Sequence, residues 1–216
     1  MIVASVFGFL FGFIGAMPVA GPIAVLVLAN ALEGRPRAAR YIGLGCAVAE
    51  SVYAALAFLG FATLLADYPV VIPISRAATA VILLGLGFHF LGRQVELSAE
   101  SLPRAARPLA HRAGRFLVGF SGTALNPTLI GTWTAATTTL FATGLVELEP
   151  LLSVPFGIAV CAGIACWYLA LVALVEKNQR RFSLRRLTAV IRAMGVLLVG
   201  LGIWFAWRFG AYLALE

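Results

Sequence analysis

Four long stretches of this chain carry no charged residue: Met1 to Leu32, Phe116 to Val146, Leu151 to Val175 and Ala193 to Trp207. Two more, Tyr41 to Ala66 and Tyr68 to Leu91, are interrupted only by Glu50 and Arg76. A helix crossing the hydrocarbon core of a bilayer needs ~20 apolar residues, so the pattern predicts six membrane spans. Those spans nearly use up the 216 residues and leave no room for a soluble catalytic domain. Composition agrees: 62% hydrophobic residues, 12% charged residues and a mean hydropathy of +0.99 are far from those of a water-soluble domain.

The first apolar run reads as a retained span. It has no Lys or Arg before Arg35 and is far longer than the ~7 to 15 residues of a signal-peptide core. Cys46, Cys161 and Cys166 all fall in apolar stretches, without a CxxC pair or a Cys/His cluster of metal-ligand spacing. They read as small buried residues, and the chain calls for no metal and no cofactor.

The net charge of +7 does not point to nucleic acid, because of where the basic residues stand. Arg35, Arg37 and Arg40 follow the first span; Arg93, Arg104, Arg107, Arg112 and Arg115 follow the third; Lys177, Arg180, Arg181, Arg185 and Arg186 follow the fifth. Thirteen of the sixteen cations thus lie in alternate connections. The positive-inside rule puts those connections in the cytoplasm and both termini outside, in a multi-pass protein of a bacterial inner membrane. Lipid headgroups are the expected partners of the basic loops. The sequence leaves the oligomeric state open, a homo-oligomer included.

The longest connection, residues 93–115, mixes both signs of charge with prolines and serines and reads as a cytoplasmic linker. It divides the chain into a three-span unit, 1–92, and a second, 116–216. Three is odd, so the halves enter the membrane in opposite orientations. "GFIGAMPVAGP" falls in the opening run of the first half, and "GFSGTALNPTL" in that of the second. Those runs are 32 and 31 residues long, yet a straight helix of that length would reach ~48 Å against a core of ~30 Å. Pro18, Gly21 and Pro22 mark a break in one run, Asn126 and Pro127 in the other. The fold class expected is therefore an all-α integral membrane protein of six helices, arranged as two inverted three-helix repeats with broken first helices. Interrupted helices at matching positions of inverted halves are the sequence pointer to a transporter's substrate site.

In motif order the chain resembles the L-lysine exporter (LysE/RhtB) family of small amino-acid efflux proteins. The resemblance rests on "PVAGP" followed by "LVLANALEGRPRAARYIGLG", on a second span with an acidic residue, "GCAVAESVYAALAFLG", and on "GFSGTALNPTLIGTW" opening the fourth span. Two departures concern the substrate: many relatives have adjacent PGP at the first break and lysine where Thr128 stands. The resemblance implies export of an amino acid or similar small amphoteric molecule, driven by the proton gradient.

Glu50 is the one acidic residue well inside a span, where a charge is expensive and usually faces a cavity or a partner. It reads as the proton-coupling group or as the counter-ion of a substrate ammonium; a structural carboxylate held by hydroxyls such as Thr79 or Tyr53 is the other reading. The helix ends at the breaks suit a substrate carboxylate, since half-helix N-termini expose N–H groups. Pro18, Gly21, Pro22, Asn126, Pro127, Thr128 and Thr132 are the expected substrate-binding positions. The other threonines around Trp133 read as hydroxyls bonded back to their own helix. His89 reads as interfacial and His111 as solvated.

Other classes fit less well. A thiol-electron carrier of the cytochrome c biogenesis type needs a reactive cysteine in each broken helix, and spans one and four have none. An enzyme would need paired carboxylates, HExxH or a nucleophile with its base. Metal-ion efflux by a related protein is the alternative retained, although carboxylates are few.

Overall fold

A computed structural model gives the fold over residues 1–17, 22–64, ten positions between 77 and 92, 111–126, 128–146, 149–177 and 184–213. The elements are α1 (Ile2–Ala16), α2 (Pro22–Leu32), α3 (Pro36–Leu64), α4 (Arg112–Ala124), α5 (Thr128–Thr143), a short 3₁₀ turn (Pro150–Leu152) leading into α6 (Ser153–Lys177), and α7 (Leu184–Leu213). No strand occurs among the described residues.

Proline and glycine set the boundaries. Pro22, Pro36 and Pro150 stand at the first position of their elements, where a missing N–H costs nothing. Gly34 follows α2 in the left-handed region, φ 77°. Its N–H reaches the Ala31 carbonyl and the Arg35 N–H reaches that of Asn30, which closes the helix end and reverses the chain at once.

Among the described residues, two stretches are long and apolar enough to cross a membrane, Pro36–Thr63 and Pro150–Lys177. The interruptions expected in the first and fourth runs are present. The first and fourth runs are each divided, into α1 with α2 and α4 with α5, because proline and its neighbours end the helix there. The sixth forms the 30-residue α7, but its uncharged part, 193–207, falls short of ~20 residues. The third lies largely outside the described residues. Helix α4 also begins earlier than expected, at Arg112 within the basic linker.

Outward faces are apolar. Val48, Val52, Leu56 and Leu59 form an exposed stripe along α3, and Val6 and Leu10 are exposed on α1. Such surface suits lipid and would be a liability in water.

Helices α3 and α6 form the centre, and each receives a half-helix from the other end of the chain. Gly8 and Gly12 of α1 press against the backbone of Phe156 and Val160 on α6; Gly119 of α4 presses against that of Ile42 on α3. In return Gly163 of α6 meets Phe9 and Phe13, while Gly45 of α3 meets Phe116 and Phe120. The two sets of contacts correspond. Phe9, Gly12 and Phe13 each stand 107 positions before Phe116, Gly119 and Phe120, and Ile42 and Gly45 each stand 118 before Val160 and Gly163. Even the ring pairs match: Phe9 and Phe13 stack at 6.0 Å and 11°, Phe116 and Phe120 at 6.2 Å and 15°.

Between the central helices, Phe58 meets Phe156 at 4.9 Å, and a side chain at Gly43 would strike Tyr168. Helix α2 is the most enclosed element, with Leu26, Val27 and Leu28 at 2% exposure or less. A smaller cluster joins Ala80 and Leu83 to Ala142 and Phe205 of α5 and α7.

Candidate functional site

Glu50 lies midway along α3 and is partly exposed. One helical turn earlier, the Cys46 thiol donates to its Oε1 at 3.4 Å. The Cys46 sulfur is 3.7 Å from the Tyr168 hydroxyl on α6. With the thiol hydrogen on the carboxylate, the phenol is the donor in that second contact, so a chain of polar groups runs from α6 to Glu50. Tyr168 stands 118 positions after Glu50, the spacing that relates α3 to α6 elsewhere. Trp133 of α5 faces the carboxylate, and Thr123 of α4 lies beside Cys46.

The two interruptions meet near this group. Ile23, in the first turn of α2, packs against Gly122 in the last turn of α4. Helix α4 ends as Leu125 N–H reaches Ser121 and Asn126 N–H reaches Thr123, each at 3.0 Å. The Tyr53 hydroxyl donates to the Ala124 carbonyl at 2.7 Å. That bond satisfies a carbonyl otherwise orphaned at a helix end within the membrane. On the alternative reading of Glu50 as a structural carboxylate, Tyr53 is thus engaged at the break instead.

Of the expected substrate positions, Pro18, Gly21 and Pro127 lie outside the described residues, as do Thr79 and His89. Pro22 opens α2 and Thr128 opens α5. Asn126 sits in the break, its carbonyl accepting from the Leu129 N–H at 3.3 Å. Thr132 is exposed on α5. The hydroxyls of Thr137, Thr138 and Thr139 each donate to the carbonyl four residues earlier at 2.8 Å, the back-bonding expected of them. His111 is exposed at the start of α4.

Reading from sequence missed Cys46 and Tyr168. Cys46 was recoverable, because positions 46 and 50 share one face of a helix. Tyr168, Thr123 and Trp133 reach Glu50 only through tertiary packing. Among the described residues, no group of three His, Cys, Asp or Glu side chains is placed to hold a metal ion.

At the loop end, Arg40 of α3 and Glu176 of α6 form an ion pair. Both are substantially exposed, so this pair adds little to stability, but it ties the two central helices together at one surface.

Comparison with curated proteins and with solved structures returns no match. A family model, LysE type translocator, matches residues 13–208, most of the chain and all of the site just described. The chain belongs to the LysE type translocator family.

Proposed function

We propose that the protein is a secondary active exporter of amino acids or similar small amphoteric metabolites, coupled to protons, with its substrate site where the helix breaks converge. The observation that carries this reading is Glu50, an in-span carboxylate beside two converging interruptions in a chain of a translocator family. The breaks supply polar backbone to a substrate, through Pro18, Gly21, Pro22, Asn126, Pro127, Thr128 and Thr132, and Glu50 serves the proton or the substrate ammonium.

Six spans in two inverted repeats, 1–92 and 116–216 joined by 93–115, are the architecture we favour. The exchange of α1 and α4 between the central helices, at constant sequence spacings, supports it. In that arrangement the site lies between the repeats, and rocking of one against the other exposes it to each side in turn. The basic connections face the cytoplasm of a bacterial cell.

Expression in a bacterial host is expected to lower internal and raise external amino acids, read by metabolite profiling. An unchanged profile with improved growth in cadmium would replace this reading by metal-ion efflux. In the same cells, a cysteine introduced in place of Glu100 should resist impermeant thiol reagents; labelling from outside would overturn the orientation.

A further inference from the structure

Among the described residues, two polar atoms at this site have no hydrogen-bond partner, Trp133 Nε1 and Thr123 Oγ1. Both residues are only 4% exposed. Buried polar groups are normally paired, and leaving one unpaired carries the full desolvation penalty of that group. The two flank the second break, Thr123 in the last turn of α4 and Trp133 in the second turn of α5. Trp133 faces the carboxylate without closing a bond to it, and Thr123 lies against the Cys46 thiol. Two unsatisfied groups and a part-buried carboxylate thus meet at one place, contributed by three helices.

We infer that Trp133 and Thr123 are substrate-binding residues that take the carboxylate of an α-amino acid whose ammonium is held by Glu50. The inference rests on the exporter reading and adds to it the groups that read the substrate. An indole N–H can only donate, so its ligand partner must be an acceptor; the threonine hydroxyl can donate beside it. Glu50 can only accept when ionised, so its ligand partner must be a donor or a cation. Cys46 engages one of its oxygens, Oε1. Because donors and carboxylate are neighbours, the two ends of the ligand must themselves be close. An α-amino acid, with ammonium and carboxylate on one carbon, meets that condition. A diamine would leave the Trp133 N–H unpaired again.

Trp167 provides a contrast. Its Nε1 is also unpartnered, but it lies on α6 with its ring edge-on to Phe13 of α1 at 5.7 Å, on the packing face between those helices.

The test uses the full-length protein in detergent and a panel of radiolabelled proteinogenic α-amino acids, each compared with its decarboxylated amine. Trp133→Phe removes the donor and keeps an aromatic ring; Thr123→Val removes the hydroxyl at nearly constant shape. Each is expected to weaken binding of the amino acid about tenfold, the loss of one hydrogen bond to a charged group. Binding of the amine should stay unchanged, which also reports that the variant is folded. Thr123→Val should melt no lower than the unaltered protein without ligand, because an unpaired group has been taken away. Trp167→Phe should bind as the unaltered protein does. Equal amino-acid binding by both site variants would overturn the inference and leave the exporter reading standing, as would a lower melting temperature of unliganded Thr123→Val. Failure of the unaltered protein to bind any of the amino acids would overturn both.

Discussion

Glu50→Gln is expected to abolish accumulation of substrate against a gradient and, with it, exchange across the membrane. Glutamine keeps the length and shape of the side chain and retains a carbonyl oxygen to accept the Cys46 thiol. It can neither bind and release a proton nor neutralise an ammonium, so coupling and substrate binding are lost together. In proteoliposomes loaded with substrate, pH-driven uptake should fall to that of empty vesicles, and counterflow should collapse as well. Counterflow that continues at a rate within a few-fold of the original, with accumulation lost, would mean that Glu50 carries the proton and does not hold the ammonium. Concentrative transport at the normal rate across the whole pH range would eliminate both roles. Glu50 would then be a structural carboxylate, held by Cys46 alone among the bonds its side chain is seen to make.

The second large effect is expected at Gly119. A β-carbon there would drive into the backbone of Ile42, which has no flexible end to move aside. Overpacking a well-filled core costs ~1–3 kcal/mol, and more where the obstacle is main chain. Against a total stability of ~5–15 kcal/mol, Gly119→Val should sharply reduce the yield of monodisperse protein and lower its melting temperature in detergent. Gly12→Val, where the backbone of Val160 stands in the same relation, should do likewise. Gly131→Ala is the control, since nothing lies within 4 Å of the added carbon. A Gly119→Val protein that melts like the original would mean that α3 and α4 are not held together by close backbone approach.

Much of this arrangement was legible in the sequence, because the signals are local. Uncharged runs set the solvent, and prolines within two of them announce the interruptions, since the interior of a helix does not tolerate a missing N–H. Glu50 stood out through the cost of burying a charge. What surrounds Glu50 was less legible. Tyr168 reaches it from 118 positions away through Cys46, and no periodicity within either helix announces that meeting. Tyr53 is a similar case: it stands one turn from Glu50, but its partner at Ala124 belongs to a distant turn. The glycines were visible as residues but not as contacts. Gly12 and Gly119 press on backbone, whereas Gly15 and Gly131 meet nothing, and composition cannot tell the two kinds apart.

The crossed seating of α1 and α4 has a consequence for how the protein is made. Helix α4 leaves the ribosome after its partner α3 and can dock as soon as it emerges. Helix α1 is synthesised first, yet its partner α6 follows only about 150 residues later, a separation that makes this a slow, late contact in assembly. Alone, its 15 residues span only ~22 Å of a ~30 Å core, and its glycine face has nothing to close upon. Helix α1 therefore waits for α6, and its glycine face closes only once that helix has been made.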